Sequence, residues 1–279
     1  MGVLELIKII IIGITEGVAE WLPISSTGHM ILVFELIKPN VSDEFLEMFL
    51  VVIQLGAIAA IPTLYFDRII PCLKGKCLAQ KRDVYQLWQR IAIASFPAVA
   101  VGFFVELVDL NEWLNSYITV AISLILYGVA FVALPKIISG RMTKPTKITI
   151  DNKDAFLLGM FQMLSIVPGT SRSGATMLGG MIIGKDAVVS TEFSFFMAIP
   201  VMLGASLLKI FKFFLSGSVL TAYECVYLAV GMLISYLVSI VSIRFLLNVV
   251  RRRGLLPFGI YRILLGIAVI LVLAIKKCG

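Results

Sequence analysis

Six stretches of this sequence are apolar for long enough to cross a lipid bilayer, about 20 residues or slightly fewer each. In hydrocarbon no water satisfies a backbone N–H or C=O, so each such stretch must be a helix that bonds itself. They run over 45–66, 91–108, 114–135, 193–215, 225–247 and 255–275. Of the 279 residues, 59% are hydrophobic and 15% are charged, well below the roughly 25% charged of soluble domains. The chain reads as an all-α integral membrane protein.

The charges serve topology better than they serve a polyanion. The segment 67–90 holds six basic residues against Asp67 and Asp83, a net +4, and 136–154 holds five against Asp151 and Asp154. Arg251, Arg252 and Arg253 form a third cluster. All three fall on one side, the inside, if the six spans are real. Segments 109–115 and 216–224 carry no Lys or Arg and suit the outside. The net charge of +7 is therefore no sign of nucleic-acid binding. The N-terminus shows no basic leader or small-residue cleavage site, so no cleaved signal peptide is expected. Cys72 and Cys77 share a loop without histidine, which is not zinc-site spacing.

Two more apolar stretches, 3–37 and 155–184, are interrupted midway by Gly, Pro, Ser and charge. Six crossings leave the first entering and leaving from outside and the second from inside, as re-entrant helical hairpins of opposite orientation. An offset of 146 pairs Gly13 with Gly159, Glu16 with Gln162, Ser25 with Ser171 and Gly28 with Gly174. An offset of 148 pairs Glu44-Phe45 with Glu192-Phe193 and Gly56-Ala57 with Gly204-Ala205. The expected fold is one membrane domain, 1–279, built of two inverted repeats, approximately 1–140 and 150–279, with six transmembrane helices and two re-entrant hairpins.

Polar groups concentrate where these hairpins break. The first reads EGVAEWLPISSTGH, from Glu16 to His29. Glu16 and Glu20, four apart, share a helical face and repel unless a proton or a cation sits between them. Pro23 removes a donor and Gly28 permits unusual dihedrals, so the helix should break there. Ser25, Ser26 and Thr27 then offer hydroxyls beside freed N–H groups, a setting for phosphate or for caps on their own backbone. His29, the only histidine, can exchange protons near neutral pH. In the second break, SIVPGTSRSGATM, Pro168 and Gly169 interrupt the helix, and Ser171, Ser173 and Thr176 surround Arg172. Its planar fork matches phosphate oxygens in pairs, and it can equally neutralise Glu16 or Glu20. Glu106, Lys209, Arg244 and Arg262, near span ends, read as snorkelling charges.

These two segments resemble the signature segments of the undecaprenyl pyrophosphate phosphatase family, bacterial membrane enzymes associated with bacitracin resistance. The resemblance extends to chain length, span count and repeat. It implies hydrolysis of undecaprenyl diphosphate to the monophosphate, which carries cell-wall precursors. It also implies a divalent cation, Mg or Ca, on Glu16 and Glu20, a serine nucleophile at Ser26, a catalytic histidine at His29 and a phosphate-binding arginine at Arg172. Phosphate is expected among Ser25, Thr27, Gly28, Ser171, Arg172, Ser173 and Thr176. The partners expected are a polyprenyl diphosphate and bilayer lipid, with a homodimer left open; the place is the bacterial cytoplasmic membrane, with the cleft open to the outer face. In one mechanism Ser26 attacks the outer phosphorus and His29 takes its proton; in another, water attacks directly. The rival class is a secondary transporter or polyprenyl-phosphate flippase, since broken helices at the midplane serve transport equally well. Lipid phosphatases that work through phosphohistidine need a second histidine, which this chain lacks.

Overall fold

The structure, a computed structural model, describes residues 2–71, 77–108, 117–139 and 149–278. Its elements are helices: α1 (Val3–Ala19), α2 (Ser26–Ile37), α3 (Asp43–Leu64), the single turn α4 (Phe66–Ile69), α5 (Leu78–Val108), α6 (Tyr117–Ser139), α7 (Asn152–Met163), α8 (Arg172–Ile182), α9 (Ala187–Leu215), α10 (Ala222–Arg253) and α11 (Leu256–Cys278). Six of them, α3, α5, α6, α9, α10 and α11, are long and apolar enough to span a membrane. Large apolar side chains such as Phe103, Leu126, Phe211 and Val241 lie exposed on these spans. On a soluble protein such a surface would aggregate; here it faces acyl chains. Lys74, Lys76, Arg141, Lys144, Lys147, Cys72 and the 109–115 connection lie outside the described residues.

The helices start where local chemistry allows. Asp151 and Asp154 close a reciprocal capping box on α7, Thr221 and Glu224 do the same on α10, and Ser42 caps α3. Each satisfies amides that the first turn leaves without partners. One expectation shifts: α5 begins at Leu78, well before the apolar run at 91, because Gln, Lys and Arg are good helix formers and carry the helix beyond the apolar layer.

Both interrupted stretches fold back on themselves. Across the mouth of the first hairpin, Lys8 Nζ on α1 donates to the Lys38 carbonyl at 3.0 Å, and the Asn40 amide donates to Glu5 at 2.8 Å. Across the mouth of the second, Lys185 donates to the Thr149 carbonyl at 3.1 Å and pairs with Asp154. A lysine ties each pair of ends. Helices α3 and α9 run antiparallel: Glu47 near the start of α3 meets Lys209 late in α9, and Arg68 just past α3 meets Glu192 early in α9. The first mouth adjoins the start of α3 and the second the start of α9, so the hairpins enter from opposite ends of the bundle and their breaks face inward.

Packing repeats with the halves exchanged. Helix α1 lies on α10 so closely that a Cβ at Gly17 would come within 2.7 Å of the Ser235 carbonyl. Helix α7 lies on α5 in the same manner, leaving no room for a Cβ at Gly159 beside the Ala94 carbonyl. Each broken stretch thus packs against a long helix of the other part of the chain. Around the breaks the core is dense: Trp21 is fully buried and meets Phe195 edge-on at 5.2 Å.

Candidate active site

Where α1 ends, Glu20 still donates its amide to Glu16 O at 3.0 Å, but Pro23 has no amide to give and the helix cannot continue. Ser25 then turns with φ 72°, and its hydroxyl accepts from the Gly28 amide at 3.3 Å to start α2. The second break repeats this. Ser171 has φ 67°, and its hydroxyl accepts from the Gly174 amide at 3.3 Å to start α8. These are the only non-glycine residues of positive φ among the described residues. Such a conformation costs on the order of 1–3 kcal/mol and persists where surroundings impose it.

The two starting helices converge on a cavity of about 130 Å³. From the first hairpin it is lined by Ala19, Glu20, Ser25, Ser26 and Thr27, and from the second by Ser165, Pro168, Gly169, Ser171 and Arg172. Two helix N-termini, each with amides unused by its own helix, thus point partial positive charge into one polar space.

Across it, Arg172 Nη2 donates to Glu20 Oε1 at 3.1 Å, joining residues 152 apart in sequence, with both side chains about nine-tenths buried. Arg172 Nη1 donates to the Ser194 carbonyl at 3.0 Å, and Trp21 lies with its ring centroid 6.0 Å from the guanidinium carbon. Of the five donors an arginine carries, two are thereby used, and the buried Nε has no partner among the described residues. The Ser26 hydroxyl donates to the other oxygen of Glu20 at 3.3 Å. One carboxylate thus joins the guanidinium to the candidate nucleophile.

Glu16 lies one helical turn before Glu20 at 2% exposure, and its Oε1 has no hydrogen-bond partner among the described residues. Two buried carboxyls a helical turn apart repel unless a proton or a cation compensates. No group of three or more His, Cys, Asp or Glu able to hold a metal occurs among the described residues. Two carboxylates with an orphaned oxygen do fit a hard cation that takes its other ligands from phosphate and water, the usual setting of Mg²⁺.

The remaining expected residues separate into those at the cavity and those behind it. Ser25, Thr27 and Ser171 line it, the two serines also serving as caps. Ser173 is buried and bonds Ser171 Oγ at 3.2 Å; Thr176 is buried and returns its hydroxyl to the Arg172 carbonyl at 3.0 Å. Gly28 is buried under Leu124 and Leu265. His29 lies on α2 with Nδ1 at 2.7 Å from the Ser25 carbonyl and Nε2 at 2.7 Å from the Tyr261 hydroxyl. The carbonyl can only accept, so Nδ1 carries a proton, and in the neutral imidazole Nε2 accepts from the tyrosine hydroxyl. The Ser26 hydroxyl bonds Glu20, and the ring nitrogens of His29 meet Ser25 and Tyr261.

Two residues of α11 escape a reading of the sequence. Tyr261 carries no signal along the chain that would single it out. Arg262, expected to snorkel, is fully buried. It sits about 9 Å along the helix from Leu256, which is the available sign that its head would not reach water. Lys209 and Arg244 do lie near the surface, Lys209 paired with Glu47; the Glu106 side chain is outside the described residues.

Along most of its length the chain is similar to proteins of one family. The family model described as bacitracin resistance protein BacA matches residues 9–268. A protein of Acetivibrio thermocellus named undecaprenyl-diphosphatase is 47% identical over 272 residues, covering 96% of this chain and 97% of that one. One of the same name from Enterococcus faecalis is 46% identical over 261 residues, covering 93% and 94%. Another, from Limosilactobacillus fermentum, is 45% identical over 272 residues, covering 96% and 97%.

Proposed function

Since this chain belongs to the bacitracin resistance protein BacA family, we propose that the cavity between its hairpins is the active site of an undecaprenyl-diphosphatase. The enzyme is a multi-pass membrane protein that hydrolyses undecaprenyl diphosphate to undecaprenyl phosphate and inorganic phosphate. Recycling the lipid carrier in this way supports cell-wall synthesis and underlies bacitracin resistance. The observation that carries the assignment of the site is the Arg172–Glu20–Ser26 bridge, with a clamp from one half and an acid and a hydroxyl from the other meeting over one polar cavity.

The polyprenyl chain stays in lipid beside the exposed apolar faces while the diphosphate enters the cavity. Its terminal phosphoryl oxygens take the unused donors of Arg172 and the first-turn amides of α2 and α8. These donors also stabilise the charge that develops on the equatorial oxygens during transfer. Ser26 Oγ forms the new bond to the terminal phosphorus as the bond to the bridging oxygen breaks, and undecaprenyl phosphate leaves. The serine proton passes to Glu20, which already accepts it at 3.3 Å. Water then hydrolyses the phosphoserine. His29, held between Ser25 and Tyr261, orients the cap that precedes the nucleophile. A divalent cation held by Glu16 and Glu20, when bound, supplies neutralisation of the diphosphate charge.

We read the chain as one membrane domain of two inverted repeats, approximately 1–140 and 150–279. The opposed hairpin mouths and the exchanged helix pairing support this. The location we assign is the bacterial cytoplasmic membrane, with the cavity opening to the outer face. The second mouth, at 149–154 and 185, then lies on the side of the basic segments.

A phosphate-release assay on a prenyl diphosphate, with purified protein in detergent, tests the reading. The wild type should release phosphate, chelator should abolish release and Mg²⁺ or Ca²⁺ should restore it, and Glu20→Gln should lower it about 10²-fold or more. Detergent supports no transmembrane gradient, so a wild type that binds the lipid without releasing phosphate would return the chain to the transporter class.

A further inference from the structure

Arg262 is one of the largest fully buried side chains in the protein, and the reaction above makes no use of it. Among the described residues it has no carboxylate partner. Its guanidinium donates from Nη1 to the Pro23 carbonyl at 3.2 Å and from Nη2 to the Gly169 carbonyl at 2.7 Å, with a longer contact to the Ser123 carbonyl at 3.5 Å. Tyr127 and Phe131 flank it, their centroids 5.4 and 5.6 Å from its central carbon. Pro23 and Gly169 are themselves 146 apart, the same spacing that relates Ser25 to Ser171. One fork thus binds the equivalent carbonyl in each break.

Burying a cation without a counter-ion is costly, and a methionine would fill the same space without that cost. What the guanidinium adds is two divergent donors that reach two separate segments at once, which an ammonium point charge does not provide. Pro23 precedes Ser26 by the same three residues that separate Gly169 from Arg172. The two anchored carbonyls therefore stand at the root of the candidate nucleophile and of the clamp.

We propose that Arg262 is a positioning residue: it locks the two helix breaks at one separation and so places Ser26 and Arg172 correctly about the terminal phosphate, without touching substrate. The kinetic part rests on the phosphatase reading; the positional part does not.

The test uses the full-length protein in detergent with its native cysteines replaced by serine. Spin labels on Thr27→Cys and Ser165→Cys report the distance across the cavity by pulsed EPR, in the presence of Arg262, Arg262→Lys and Arg262→Met. In parallel, the same Arg262 variants without labels are assayed for phosphate release. Arg262→Met is expected to broaden the distance distribution and lower kcat about 10²-fold, as a misplacement of about 1 Å does, with KM within threefold. Arg262→Lys should fall between this and the parent. The proposal is overturned by an unchanged distribution, by kcat within twofold for Arg262→Met, or by a loss carried by KM, which would make Arg262 a substrate contact. If Arg262→Met does not fold, Arg262→Lys carries the test; failure of both to fold overturns it in favour of a role in stability alone. A parent that releases no phosphate sinks the phosphatase reading, while the distance distributions still decide the positional claim.

Discussion

Ser25 and Ser171 adopt the same left-handed cap, within 5° in φ, and each accepts from a glycine amide at 3.3 Å. The residues that follow them share only that backbone. Ser26 opens α2 with a hydroxyl, whereas Arg172 opens α8 with a guanidinium. At the same spacing, Glu16, Glu20 and His29 in the first hairpin stand opposite Gln162, Ile166 and Ala175 in the second. The same cap thus occurs twice, and on the proposed roles the nucleophile and acids stand beside one cap and the anion clamp beside the other. Because the copies enter from opposite ends, the symmetric positions Ser26 and Arg172 come together at one cavity, on two oxygens of one carboxylate.

That division of labour can be broken most decisively at the clamp. Arg172→Ala removes the only permanent charge of the second break and leaves Glu20 buried without its partner. Phosphate release should fall about 10³-fold or more; a loss under tenfold would show that the second hairpin is scaffolding only. At the equivalent position, Ser26→Ala should cost about 10³-fold, and rapid quenching of the wild type should trap phosphate on Ser26. If Ser26→Ala keeps most of its turnover, water is the nucleophile and Ser26 a phosphate contact.

A smaller effect separates the buried pair Glu16 and Gln162. Glu16→Gln makes the first hairpin resemble the second and should lower activity about 10- to 100-fold while raising the concentration of Mg²⁺ needed for half-maximal rate. An unaltered metal requirement would remove Glu16 from any cation site. The least effect is expected at the caps. Ser25→Gly and Ser171→Gly each relieve a positive φ and lose a capping hydroxyl, so stability should change by no more than about 1 kcal/mol. The two shifts in thermal midpoint, measured in detergent, should match; unequal shifts would mean the cradles are strained differently.

Several of these relationships are legible in the residues alone. A polar cluster inside an apolar stretch is costly enough in lipid to announce a site, and Glu20, Ser26 and Arg172 stand out on that ground. Proline and glycine mark both breaks for local steric reasons. Other features are not legible. Ser173 and Thr176 carry the same hydroxyls as Ser171, but helical geometry turns Thr176 back to the Arg172 carbonyl and buries both. The partner of Ser26 is Glu20, and the imidazole three residues further on is held by Tyr261, more than 200 residues away in sequence.

The sequence by itself determined a six-span helical membrane protein with two further apolar stretches broken midway, because hydrocarbon length, backbone self-satisfaction and the geometry of proline and glycine are local constraints. Only the tertiary structure decided which donors meet which acceptors. Contacts between groups more than a hundred residues apart, such as Arg172 with Glu20 or Arg262 with Pro23, depend on how the two hairpins dock end to end. No periodicity along the chain encodes that docking, since it follows from packing among helices that are far apart in sequence.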